Sequence, residues 1–203
     1  MKRIFAKEIT TEEYMRDYRN AAYFIELCKQ CGNYGKSWAC PPFEFDADTR
    51  LKQWCNALIV ACRFELPGGD HSVSEAMPLL REKRIELEER LLALEKEYGG
   101  LAFGFSGECL HCRHCARGKG VRCIHPDKVR PAIEAYGFNV SKTMDKLFGI
   151  SIEWAEDGVL PHTLTLVGAL FHNEPMDSIK FRPNMKTEYQ KYLYGLLKQL
   201  RDV

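Results

Sequence analysis

The sequence predicts an α/β or α+β fold: a mixed sheet of about four or five strands with flanking helices and two Cys-rich metal-binding loops. Three observations carry that expectation. Helical and strand periodicities alternate along the chain without an internal repeat or a low-complexity linker, the pattern of helices layered on a sheet. The run ALIVACRFEL at 57–66, the long amphipathic stretch 74–98 and LAFGFS at 101–106 form a strand–helix–strand unit, which calls for a right-handed crossover with the two strands parallel. Seven of nine cysteines fall into two short motifs, at 28–42 and 109–126. With 203 residues, 45% of them apolar, the chain is expected to form one domain over 1–203 with an ordinary core.

Taken in order, Thr10-x-x-Glu13 is a capping box. It opens a helix with Tyr14, Tyr18, Ala21, Ile25 and Cys28 on one face, at alternating steps of four and three residues. Cys28 then lies at the inner C-terminal end of that helix, and Gly32 is its natural stop. Asp46 caps a short helix carrying Leu51, Trp54 and Cys55. Ala57–Leu66 is a strand that starts apolar on both faces, the mark of a buried strand, and Gly68-Gly69 ends it. Between Ser74 and Tyr98 the helical stripe is Met77, Leu80, Leu87, Leu91, Leu94 and Tyr98, with Arg84 its one charged member. Closely flanking strands favour packing of that stripe on the chain's own sheet over a coiled-coil pairing. Leu101–Ser106 is the next strand. Helices follow near Pro131–Tyr136, stopped by Gly137, and over Ser141–Phe148. Gly149–Ala155 and His162–His172 read as strands, and Met185, Tyr189, Leu193, Leu196 and Leu200 line a final helix.

Charge narrows the function classes. Lys and Arg number 29 against 28 Asp and Glu, a net of +1, which argues against a globally basic nucleic-acid binder and against an acidic solvating tail. No stretch approaches the ~18–20 apolar residues of a membrane span. The start, MKRIFAKEITTEE, lacks the apolar core of a signal peptide. A cytoplasmic location is therefore expected. Thiols stay reduced there, so clustered cysteines read as metal ligands, and an odd count of nine fits disulfide pairing poorly.

The first motif is Cys28-x2-Cys31-x8-Cys40-Pro-Pro; the second is Cys109-x2-Cys112-x2-Cys115-x7-Cys123, followed by Ile124-His125-Pro126. In a C-x2-C-x2-C run each two-residue gap lets a tight loop turn successive sulfurs toward one centre. Bacterial ferredoxins wrap a 4Fe–4S cubane this way, whereas structural zinc usually takes separated C-x2-C pairs or a pair plus histidines. The spacing favours iron–sulfur, with one or two 4Fe–4S clusters, over zinc held by Cys109, Cys112, Cys115 and Cys123. The second motif departs from the ferredoxin run in its seven-residue last gap, and Gly118-Lys119-Gly120 lets Cys123 return to the same metal. In ferredoxins the fourth cysteine serves the other cluster, so the partition of ligands stays open. The first motif has only three sulfurs. Its fourth position is open to a substrate, a water, a histidine or another cysteine. Cys62 lies inside an apolar strand and reads as an inert buried thiol; Cys55 stays open between ligand and plain thiol. His111, His114 and His125 are ligand candidates that more often serve as polar neighbours of such a site.

From Cys109 to Arg130 six cations, Arg113, Arg117, Lys119, Arg122, Lys128 and Arg130, stand against Asp127, a local +5. Such a loop would hold an anionic cluster and raise its potential, or dock an acidic partner or phosphate; an ordinary solvated loop is the plain alternative. Gly35-Lys36-Ser37 imitates the end of a P-loop, but Gln30 stands where the first glycine belongs and a helix precedes it. The C-x3-C-x2-C spacing of radical S-adenosylmethionine enzymes is absent, as are G-x-S-x-G and H-E-x-x-H. A C-x-x-C thiol oxidoreductase would leave five motif cysteines unexplained.

The string Cys31-Gly-Asn-Tyr-Gly-Lys-Ser-Trp-Ala-Cys40-Pro-Pro-Phe43, the C-x2-C-x2-C run, His125-Pro126, and Arg130-Pro-Ala-Ile-Glu-Ala-Tyr-Gly137 with Asn139-Val140 together resemble an uncharacterised family of predicted metal-binding proteins common in anaerobic microbes. The resemblance covers most of the chain from about Cys28. It implies metal binding by Cys28, Cys31, Cys40, Cys109, Cys112, Cys115 and Cys123, and implies no reaction. The chain departs from the family pattern at Ile124, where Arg is expected, and at Ala132, where Ser is expected; neither is a proposed ligand. Three functions follow as expectations: electron transfer with a redox protein partner, an iron–sulfur enzyme with an open iron at the three-cysteine motif, or a zinc-stabilised binding module. The basic loop lacks an interleaved aromatic platform, which weakens a nucleic-acid partner.

Overall fold

The computed structural model describes residues 3–66, 68 and 71–175; the expected helix over Met185–Leu200 lies outside them. The α+β expectation holds. Four strands, β1 (Arg3–Thr10), β2 (Asn56–Glu65), β4 (Leu101–Phe103) and β6 (Thr163–His172), form one sheet in the order β1-β2-β6-β4. Two short strands, β3 (His71–Ser72) and β5 (Val159–Leu160), pair separately. Every neighbouring pair in the main sheet is antiparallel, so the expected mixed pairing is corrected. β2 and β4 do run the same way, as the crossover requires, because both are antiparallel to β6. The strand–helix–strand unit leaves a gap that β6 later fills. Its register sets Ala57 opposite Phe171 and Leu101 opposite the same Phe171.

The apolar run of β2 has a direct cause. Ala57, Ile59 and Ala61 face one cluster with Tyr14, Phe103, Ile133, Phe138 and Phe171. Leu58, Val60, Cys62 and Phe64 face another with Leu87, Leu91 and Leu170. Both faces are covered, so no polar face is needed. The long helix α4 (Val73–Tyr98) supplies the second cover, opened by a capping box between Ser72 and Glu75. Its buried members are Ala76, Arg84, Leu87 and Leu91, which places the expected stripe on the chain's own sheet.

The expected first helix is two. α1 (Thr11–Tyr18) starts at Thr10, whose hydroxyl accepts from the Glu13 N–H at 3.2 Å. It ends where Arg19 goes extended, and Asn20 caps a second helix, α2 (Ala21–Gln30), by accepting from the Tyr23 N–H. The break is held from outside. Arg19 donates to the Tyr136 carbonyl at 2.5 Å and to Asp48 at 2.6 Å, and the Asn20 N–H donates to the Gly137 carbonyl at 2.8 Å. The break takes Ala21 off the buried face that Tyr14 and Tyr18 occupy; no residue of α2 is fully buried. The short helix capped by Asp46 is α3 (Ala47–Leu51), with Trp54 and Cys55 just beyond it.

Ile133–Tyr136 is a 3₁₀ turn ending at Gly137, which has a φ of +91° and the Ala21 Cα 2.6 Å from where a Cβ would stand, leaving no room for a side chain. α5 (Val140–Thr143) runs on into one π turn over Met144–Phe148. Gly149–Ala155 is not a strand. Ile150 and Ile152 pack on the core and gave the segment its alternation, but it joins no ladder among the described residues. No helix among the described residues is long and apolar enough to cross a membrane.

Candidate metal centre

Two excursions from this framework bring the cysteines to one corner. The first leaves the end of α2. Cys28 lies in its last turn, and Cys31 caps it by donating its N–H to the Cys28 carbonyl at 3.0 Å. The chain then turns through 32–39 to Cys40 and a cis Pro41–Pro42 peptide. The second excursion leaves β4. At Gly104 the backbone N–H donates to the Pro131 carbonyl at 2.9 Å, pinching together the two ends of the loop that carries the second motif. Arg84 props the start of that loop. Its guanidinium donates to the carbonyls of Phe105 at 3.3 Å and Glu108 at 2.8 Å, and it lies 3.6 Å from Glu88. Gly107, at φ +113°, has the Arg84 guanidinium 2.9 Å from where a Cβ would stand. The one charged residue of the apolar stripe thus carries the metal-motif loop.

The two loops are locked to each other. Arg117, from the second, donates to the Ser37 carbonyl at 2.8 Å, the Cys40 carbonyl at 2.6 Å and the Pro42 carbonyl. Its guanidinium carbon lies 4.9 Å from the centre of the Trp38 ring. Trp38 returns the contact by donating its indole N–H to the Val121 carbonyl at 3.0 Å.

Two cavities open between the loops. Cys28, Cys31 and Cys40 line the first, of about 120 Å3, together with Glu134, Arg84, Glu88 and Arg130. Cys112, Cys115 and Cys123 line the second, of about 330 Å3. Cys109, Asn33, Glu108 and His111 belong to both walls. Either volume far exceeds the ~10–15 Å3 that admits one water. All seven motif cysteines are therefore brought together in two groups that meet at Cys109. Cys62 is fully buried in β2 and Cys55 is exposed beyond α3; neither lines either cavity.

The donor set suits a cation. Cys28, Cys40 and Cys109 all have their thiols pushed above the ordinary range, first by burial. Cys31 and Glu134 add to this at Cys28, Cys31 and Cys28 at Cys40, and Cys115 and Cys112 at Cys109. Mutually repelling thiolates are what a metal compensates, and binding one releases their protons. The His125 backbone N–H points at the Cys123 sulfur at 3.4 Å, the kind of contact that tunes a thiolate-held cluster. Among the described residues, no three His, Cys, Asp or Glu side chains are gathered closely enough to hold one ion.

His111 donates its Nε2–H to the Lys128 carbonyl at 3.2 Å and stands 6.3 Å, centre to centre, from the His125 ring. Arg130 pairs with Glu95, and Arg117 serves the first loop, so the basic run divides. Arg113, Lys119, Arg122 and Lys128 are exposed, next to exposed Val121 and Ile124. Sequence reasoning gave no role to Glu134 or Glu88, and placed Arg117 only among the cations of the basic loop. Only Arg84, as a charge in an apolar stripe, signalled its own importance.

A family model described as "Predicted metal-binding protein (DUF2284)" matches residues 12–171. No curated protein and no solved structure matches the chain.

Proposed function

We propose that this chain, which belongs to the DUF2284 family of predicted metal-binding proteins, holds two 4Fe–4S clusters and exchanges electrons with an acidic redox protein. One observation carries the reading: seven cysteines line two cavities that share a wall at Cys109. Cys28, Cys31 and Cys40 would hold one cluster, and Cys109, Cys112, Cys115 and Cys123 the other. Such clusters supply one-electron storage at a potential set by charge, hydrogen bonds to sulfur and burial. The chain's own groups act on each of these. The His125 N–H supports the Cys123 thiolate. Arg117 brings positive charge between the loops without leaving its three carbonyls. Arg113, Lys119, Arg122 and Lys128 around Val121 and Ile124 form a surface that suits an acidic partner, with association that weakens as salt rises.

Protein purified without oxygen is expected to contain about eight irons and eight sulfides per chain, with broad absorption near ~400 nm. Stoichiometric zinc without sulfide would replace this reading with a zinc-stabilised binding module.

A further inference from the structure

The three-cysteine cavity contains a carboxylate with one oxygen left without a partner. Glu134 lies in the 3₁₀ turn 133–136, packed beside α2, and lines the same cavity as Cys28, Cys31 and Cys40. Its Oε2 is sealed from solvent and has no hydrogen-bond partner among the described residues. Burial is the main force on this group, holding its carboxyl up at about 7, while the Ser106 hydroxyl and a backbone N–H pull the other way. A buried carboxylate without a counter-charge is costly, and such groups pair or bind metal.

The cations on this cavity wall are engaged elsewhere. Arg84 is committed to the Phe105 and Glu108 carbonyls and to Glu88, and Arg130 to Glu95. The alternatives for the missing ligand are weaker. His111 has its Nε2 on the Lys128 carbonyl. Cys109 borders both cavities, but it is the first sulfur of the C-x2-C-x2-C run whose other cysteines line the second cavity alone. Cys55 and Cys62 are absent from the wall.

We propose that the Glu134 carboxylate completes the three-cysteine site, as the oxygen ligand of the one iron that Cys28, Cys31 and Cys40 do not hold. This rests on the iron–sulfur reading above. It gives the two sites different characters: one closed by four thiolates, the other closed by a harder donor that exchanges more readily. Small oxygen-donor anions able to replace a carboxylate are the class of ligand such an iron would take.

The test compares wild type, E134Q, E134C and C109S, each reconstituted anaerobically with iron and sulfide. Wild type is expected at about eight irons and eight sulfides, and E134Q at about seven irons for eight sulfides, with the paramagnetic signal of a three-iron cluster after one-electron oxidation with ferricyanide. E134C should return to about eight irons, because cysteine restores a fourth donor; a mere folding defect would not be rescued this way. C109S should alter only the second site. An E134Q protein with wild-type iron content and spectrum overturns the assignment while leaving the two-cluster reading intact. So does a C109S protein that shows the three-iron signal at the first site. Wild type without sulfide overturns the cluster reading and this inference together.

Discussion

Arg117 offers the sharpest test of whether the two cysteine loops are one unit. It is numbered within the second motif, yet its hydrogen bonds go to the backbone of the first, at Ser37, Cys40 and Pro42. Arg117→Ala removes three bonds from a charged donor and a contact over the Trp38 ring at 4.9 Å. Charged hydrogen bonds contribute ~1.5–3 kcal/mol each when well buried. Arg117 is only half-buried and water can replace part of what is lost, so about 1 kcal/mol per bond is the working figure. The stacked contact adds about 0.5–1 kcal/mol. A total of about 3–4 kcal/mol corresponds to a fall in Tm of roughly 6–16 °C for a chain of this size. Anaerobic thermal melts of R117A should show that fall, and iron and sulfide assays should show the first site losing occupancy as much as the second. R122A, which removes an exposed charge from the same loop, is the control. Loss confined to the second motif's cluster, or a melt equal to that of R122A, would refute the coupling.

Two further outcomes separate the site from the scaffold. Cys62→Ala should cost about 1–2 kcal/mol, because a fully buried side chain in β2 is truncated. Neither it nor Cys55→Ser should change iron content, since neither cysteine lines a cavity; a loss of iron in C55S would place it among the ligands. His172 gives the pH dependence. Its ring is fully buried, 3.1 Å from the Glu8 carboxylate, with Glu174 also acting on it. Desolvation outweighs those partners and holds its pKa below the ordinary value of 6.5. The native state therefore favours the neutral ring and the unfolded state binds the proton more readily. Stability contributed by neutral His172 is present above 6.5 and falls as pH drops below it. Denaturant melts of wild type and H172Q between pH 5 and 8 should diverge on the acid side; parallel curves would show that folding does not lower the His172 pKa.

What the sequence made legible was local and periodic. α4 was readable from a stripe with the helical period, β2 from an apolar run that a glycine pair ends, and α3 from its Asp46 cap. β1 was not. Among the described residues it is an edge strand with one neighbour, and its Lys7 interrupts the row of Phe5 and Ile9 on one face while Glu8 ends that of Ile4 and Ala6 on the other. The break between α1 and α2 was hidden for a different reason. The spacing from Tyr14 to Cys28 suits one helix, and what stops it is Arg19 reaching residues far along the chain, at Asp48 and Tyr136.

The same distinction governs the site. Cysteine spacing within each motif is local information, so seven cysteines in two groups could be read directly. Their joining depends on pairs far apart in sequence: Arg117 on Cys40, Trp38 on Val121, Arg84 under Glu108. Glu134 is the extreme case. One residue in a short apolar turn carries no spacing signal, and only the fold sets its unpartnered oxygen in the wall beside Cys28. A three-cysteine motif looks incomplete along the chain because its remaining donor is brought by another element. The fourth position is then where the fold, rather than the motif, decides what chemistry the metal can do.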